Sequence, residues 1–283
     1  VGAVRVLSAI RDELAGPVRF VFQPAEEGGG GGGRMCDEGV LDGVKAIFGL
    51  HGWPYLPQGE LGVRSGPFLA SSDRFRIVVD GQGAHAAFPH QGVDPIPIAA
   101  QIVLGLQTIA SRQTDPLDAV VVTVAQIHGG TADNIIPAQI ELRGTLRSLQ
   151  AGTRRSAMDQ IERIATQIAA AHQARAQVTI TEGTPVLAND RIAAGFGQQV
   201  ASTASLTPVD IDPVMGGEDF AFYAERIPAA FFALGVRPPD RDSYPALHQP
   251  DYDFPDAAIA TGVALHVQLA RRFWSDAADE LNG

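Results

Sequence analysis

The 283 residues predict a two-domain α/β protein with an inserted α+β domain, on three observations. Strand-type apolar runs alternate with helical stretches at both ends of the chain. Between them the order becomes β-α-β-β-α-β within roughly 110 residues, the split βαβ pattern of a four-stranded sheet with both helices on one face. With 45% hydrophobic residues the chain can bury the core of one large domain or two ordinary ones. The expected division is 1–70 with 183–283 for the outer, discontinuous domain and 71–182 for the inserted one.

The chain opens on an amphipathic helix from Val1 to Leu14, with Val4, Leu7, Ile10 and Leu14 at near-helical spacing and no capping residue before it. A helix already under way at Val1 is the basis for expecting the natural chain to extend upstream. A strand from Val18 to Phe22 then ends at Pro24 and delivers Glu26 and Glu27 onto the run Gly28 to Gly33, expected as a mobile loop. A short helical segment leads to a second strand, Lys45 to Leu50, expected to end on His51 before Gly52 and Pro54, and a third extended piece covers 59–66.

In the inserted domain the expected elements are a strand at Arg74–Asp80, whose polar and apolar residues alternate, a helix over 95–112, strands over 119–126 and 139–146, a helix over 156–174 and a strand over 177–181. The outer domain resumes with a helix near 190–204, a helical turn ending at Arg226, a buried strand over 229–235 and a last helix over 256–274.

Composition excludes several classes. A net charge of -11 with 21 Lys and Arg gives no cationic surface for a phosphate backbone or an anionic membrane. No apolar run approaches the roughly 20 residues that span a bilayer, and no secretory segment opens the chain. The single cysteine, Cys36, allows no intrachain disulfide, so the cytoplasm is the default compartment. It is expected as a buried or partly exposed free thiol.

Glu27, His51 and His248 are the residue types that hold a borderline divalent metal such as Zn²⁺, Mn²⁺ or Co²⁺, and Glu26, beside a ligand, is placed to handle a proton. Spacing alone does not bring them together, and an acidic first helical turn or a hydrogen-bonded loop histidine accounts for each singly. Glu218 and Asp219 precede an apolar helical face, so helix capping and a role in orienting a ligand both remain open. His90, His128, His172 and His266 are expected to serve structure only.

The motifs Gln-Pro-Ala-Glu26-Glu27-Gly, Gly-Leu-His51-Gly-Trp-Pro, Gly-Ala-His85-Ala-Ala-Phe-Pro-His90, Asp133-Asn134-Ile-Ile-Pro, Gly-Gly-Glu218-Asp219-Phe220 and Leu247-His248-Gln-Pro-Asp occur in order along the chain. Together they resemble the M20 metallopeptidase family, in its branch of amidohydrolases that cleave N-acyl amino acids. The resemblance implies an α/β metallohydrolase domain that binds two divalent metal ions, interrupted by a ferredoxin-like satellite that acts as a lid and mediates homodimerisation. It implies Glu26 as the general base for a metal-activated water, and Glu27, His51 and His248 as metal ligands. It further implies His85 as a stabiliser of the tetrahedral oxyanion, and Asn134 and Arg147 as groups that hold the substrate's carbonyl or carboxylate.

The branch also carries an Asp-rich motif and a Cys-x-His ligand pair upstream of the Glu-Glu motif, and neither occurs here. This resembles a family member lacking the first part of its catalytic domain, so partial metal occupancy and little or no activity are expected of the segment alone. A metallo-aminopeptidase or carboxypeptidase acting on peptides, and a non-catalytic ligand-binding or dimerisation module, are the alternatives.

Overall fold

The computed structural model describes residues 1–28 and 30–282. The chain forms two compact units. Val1–Phe68, Leu187–Pro213 and Asp219–Gly283 make the first, and Leu69–Val186 with Val214–Glu218 the second.

In the first unit the opening helix is shorter than its periodicity suggests. Helix α1 spans Gly2–Ala9, and the chain continues as a 3-10 turn over Arg11–Glu13. Val18 to Phe22 joins no ladder, with Phe22 65% exposed. Strand composition is insufficient where no neighbouring backbone completes the hydrogen bonds. The glycine run is not a loop throughout: Gly31–Asp37 forms α2, while Gly29 lies outside the described residues. Gly31 is required there, because a Cβ would sit 1.8 Å from the Pro24 carbonyl oxygen.

Strand β1 runs over Ile47–Pro57, so His51 lies inside a strand rather than at its end. Gly52 and Trp53 still pair with the later strand β12 (Ala229–Arg237), and the register slips only between Trp53 and Pro57. Pro54 falls in that slip, where no ladder N–H is required of it. Strands β2 (Glu60–Val63) and β3 (Gly66–Leu69) follow.

The second unit carries β4 (Ser72–Asp80), β5 (Ala84–His85), α3 (Pro95–Thr108), β6 (Val120–His128), β7 (Ile135–Ile136), β8 (Gln139–Ser148), α4 (Ala151–Ala171) and β9 (Arg175–Thr184). Its sheet has the order β6-β8-β4-β9, antiparallel throughout. Alternation along β4 places Phe75, Ile77 and Val79 in one core with Ile98, Ile102 and Leu106 of α3 and Ile161 and Ala165 of α4, so both helices cover the same face. The opposite face is polar, with Glu141 held by Arg76 and Arg143. Helix α3 starts where Asp94 accepts a hydrogen bond from the Ile96 N–H with Pro95 in the first turn, and it ends in a single π-helical turn over Ile109–Gln113.

The chain re-enters the first unit with β10 (Leu187–Asn189), α5 (Arg191–Ala201), β11 (Thr207–Asp210), α6 (Ala221–Ala224), β12 and α7 (Ala257–Asp276). Its main sheet has the order β1-β12-β2-β11. The β1–β12 and β2–β11 pairs are parallel and β12–β2 is antiparallel. Strand β12 is buried along almost its whole length, as a central strand covered on both faces should be. Phe232, Leu234, Phe196, Val200, Leu265 and Phe273 form the core between this sheet and helices α5 and α7. Among the described residues no helix is long and apolar enough to cross a membrane.

Candidate active site

In the first unit Glu26 and Glu27 sit in a turn between Pro24 and α2, both exposed. Ala25 immediately before them adopts a left-handed conformation at φ 58°, which a residue with a Cβ adopts only where its surroundings enforce it. Asp219 fastens the chain on both sides of this residue. Its side chain is 1% exposed, and its Oδ2 accepts hydrogen bonds from Gln23 Nε2 at 3.0 Å and from the Gly32 N–H at 2.9 Å. Tyr223 donates its hydroxyl proton to Gln23 Oε1 at 2.9 Å, fixing the amide orientation.

Asp219 does not cap its own helix. The N-cap of α6 is Phe220, without a side-chain bond, and Asp219 instead supplies the missing acceptor at the first turn of α2, whose own cap is Gly30. The sequence left Asp219 open between capping and orienting. The fold uses it as an acceptor for α2, an element far away in sequence.

Partial desolvation by nearby protein atoms, followed by the charges of Glu27 and Asp219, raises the Glu26 pKa above its ordinary value although the residue is exposed, while His51 and the Asp219 backbone pull it back in part. These groups therefore lie within electrostatic reach of one another. His248 is not among them. It occupies an exposed turn in a left-handed conformation at φ 65°.

His51 projects from β1 against an aromatic bed, with Trp53 at 6.1 Å and Phe231 at 6.4 Å between ring centroids. Its Nδ1 lies 2.8 Å from the Gly52 carbonyl oxygen. A carbonyl only accepts, so Nδ1 carries the proton and the Nε2 lone pair is free, the tautomer a metal ligand requires. Gly52 also lets the Phe254 ring close on β1, since a Cβ there would meet Phe254 at 2.6 Å. The donor chemistry around Glu26 and His51 thus fits a divalent transition metal. The convergence is incomplete, because no three His, Cys, Asp or Glu side chains among the described residues form a group that could hold one.

In the second unit His85 and Asn134 come together. His85 pairs with Ile135 in the β5–β7 ribbon, and the Ala86 N–H donates to the Asn134 carbonyl at 2.9 Å. The Ala87 N–H donates to His85 Nδ1 at 3.1 Å, so the neutral ring carries its proton on Nε2, where it serves as a donor. Arg147, on β8, is engaged elsewhere: Nη1 donates to the Met215 carbonyl at 3.0 Å. Cys36 is buried, with its thiol 3.7 Å from the Phe222 carbonyl, and burial raises its pKa.

The mixed sheet and its glutamate turn define an α/β protein with a carboxylate–imidazole site at one strand. The family model for the peptidase family M20/M25/M40 matches residues 1–272, and the chain belongs to this family. It is 37% identical over 271 residues to an N-acetyl-L-cysteine deacetylase of Bacillus subtilis, a match covering 96% of this chain and 64% of that protein. It is 37% identical over 285 residues to the IAA-amino acid hydrolase ILR1-like 2 of Arabidopsis thaliana, covering 99% and 64%. The structure superposes with a TM-score of 0.79 on a dinuclear metal-binding peptidase of the M20 family from Bacillus subtilis, at 35% identity and covering 95% of this chain and 69% of that one. The chain thus spans 64% of the length of both sequence relatives.

Proposed function

We propose that the protein hydrolyses the amide bond of N-acyl amino acids, with Glu26 as general base. The observation that carries this reading is the placing of Glu26 on a turn fastened on both sides to Asp219 and within electrostatic reach of His51, whose Nε2 lone pair is free; partial desolvation and then Glu27 and Asp219 raise its pKa. A base shifted toward the working pH both takes a proton from water and returns it to the leaving amine. Glu27, His51 and His248 would hold the metal, and when bound a pair of divalent ions supplies a polarised carbonyl and a more acidic water. His51 supports this with its free Nε2 lone pair.

His85 presents an Nε2–H suited to a developing oxyanion, and Asn134 beside it suits a substrate carbonyl. Arg147 is the weakest member of the proposed substrate-binding set, because its guanidinium already serves Met215. The second unit, with its ferredoxin-like strand order, is proposed as the lid and homodimer element. Its edge strand β6 exposes Val121 and Ile127, and light scattering that returns a monomer removes that part.

The 283-residue chain alone is proposed to be inactive or nearly so, since no three potential ligands converge among the described residues. The test is release of free amino acid from a panel of N-acyl amino acids with Mn²⁺, Co²⁺ or Zn²⁺, for this chain alone and with a family-type upstream segment attached. Turnover only in the longer form supports the proposal. Turnover by the 283-residue chain itself, lost in Glu26→Gln, contradicts its inactivity, and no turnover in either folded form contradicts the hydrolase reading. A peptide substrate is the second reading, favoured by the likeness to a peptidase, and a dipeptide panel decides it.

A further inference from the structure

We infer that Asp219 is a positioning residue that sets the placement of the Glu26–Glu27 turn, an inference that rests on the hydrolase reading for its catalytic meaning but not for its structural test.

One oxygen, Asp219 Oδ2, receives the Gln23 amide from before the glutamate pair and the Gly32 N–H from after it. Both flanks of the turn are therefore fastened to a single buried atom. The Asp219 backbone adds a further constraint: its carbonyl oxygen would lie 2.6 Å from a Cβ on Gly32, so only glycine lets α2 start this close. The same carbonyl accepts the Phe222 N–H at 3.1 Å, tying the fastener to α6.

Among the described residues the local support is one main-chain bond, from the Gly28 N–H to the Glu26 carbonyl at 2.6 Å. Glu26 and Glu27 are exposed, Ala25 is left-handed, and α2 has no side-chain cap of its own. Removing the carboxylate would strip the shared acceptor from both flanks at once, and a buried donor left without its partner is strongly penalised. An amide at this position retains an oxygen where Oδ2 lies, and both donors use that one oxygen.

Hydrogen exchange on the 283-residue chain tests this directly. In Asp219→Ala the Gly32 amide should exchange at least about tenfold faster, with amides of β12 and of the second unit unchanged. Asp219→Asn should restore protection to within about threefold. Gln23→Ala, which removes one donor and leaves the core intact, should give a smaller acceleration at the same amide and keeps the test open if Asp219→Ala does not fold. Unchanged Gly32 protection in Asp219→Ala or, where that chain is unfolded, in Gln23→Ala overturns the inference. So does acceleration spread equally through β12, which would mark Asp219 as a general folding residue.

In a form that turns over, Asp219→Ala should lower kcat with KM within about threefold, and Asp219→Asn should recover most of it. Equal kcat in Asp219→Ala and the unaltered enzyme also overturns the inference. If the exchange pattern holds while the unaltered enzyme shows no turnover in any form, the fastener stands and the hydrolase reading fails.

Discussion

The two stretches that carry the proposed chemistry are built on opposite plans. The Glu26–Glu27 turn of the first unit is held by side chains: Asp219, Gln23 and Tyr223 form a chain of hydrogen bonds around it. The His85 stretch of the second unit is held by main chain, through the β5–β7 ribbon, the Ala86–Asn134 bond and the paired Gln82 and Val93. Main-chain fastening survives side-chain replacement and side-chain fastening does not. Desolvation and then the Glu27 and Asp219 carboxylates raise the Glu26 pKa, whereas one backbone N–H sets the His85 tautomer.

The sharpest way to break this contrast is Glu26→Gln. In any form that turns over, kcat should fall by about 10²–10⁴-fold, and a loss below tenfold would remove Glu26 as the base. Stability should move the other way. A carboxyl whose folded pKa lies above its unfolded one is favoured by folding when protonated, and that advantage is lost as pH rises from about 4.3 through the folded value. Glu26→Gln should therefore raise the Tm at pH 7 and flatten its dependence on pH in that window. A lower Tm would mean that the carboxylate serves the fold.

In the second unit the largest loss should come from outside the His85 stretch. Asp73 is fully buried and takes a two-armed bond from Arg154 at 2.9 and 2.7 Å, plus the Gly183 N–H at 3.0 Å. Asp73→Ala removes the buried carboxylate from a largely buried guanidinium that also meets the exposed Glu182, and should cost about 3–5 kcal/mol in urea unfolding. His85→Ala, by contrast, should leave Tm unchanged because the ring is exposed and the ribbon is main chain, while lowering kcat by about 10²–10³-fold as loss of an oxyanion donor does. A destabilised His85→Ala would show that the ring, not the backbone, holds the stretch.

Much of the second unit was legible because its alternation is unambiguous. Arg74 to Asp80 alternates as a half-buried strand, and the helix expected over 95–112 corresponds to α3, whose continuation over Ile109–Gln113 is π-helical, a detail the sequence does not announce. The first unit misled at the points where partners lie far away. Val18 to Phe22 has strand composition, yet a strand needs a neighbouring backbone that composition does not supply. The Gly-Trp-Pro after His51 looks like a strand end, but the parallel partner β12 continues beside it and Pro54 falls where the register slips. The glycine run suggested only flexibility, because the contacts that demand glycine at 31 and 32 come from Pro24 and Asp219. Asp219 carries no decisive local signal. Its bond to Gly32 spans 187 residues, and the one local signal was a charged residue before an apolar run that showed no cap of its own.

The mildest test compares two glycines, one in each stretch. At Gly32 a Cβ would lie 2.6 Å from the Asp219 carbonyl oxygen, a main-chain atom that cannot swing aside. At Gly83, beside the β5–β7 ribbon, a Cβ would meet the Ile136 carbonyl oxygen at 3.2 Å, a distance that a shift of a few tenths of an ångström relieves. Neither glycine has a positive φ, so the difference is one of contact alone. Gly32→Ala should cost about 1–3 kcal/mol, as forced overpacking does. Gly83→Ala should stay within about 0.5 kcal/mol, the range of substitutions that disturb no special feature. Denaturant melts of the two variants measure both. Equal costs would mean that the side-chain-held turn yields as readily as the ribbon, and that Asp219 fastens it loosely.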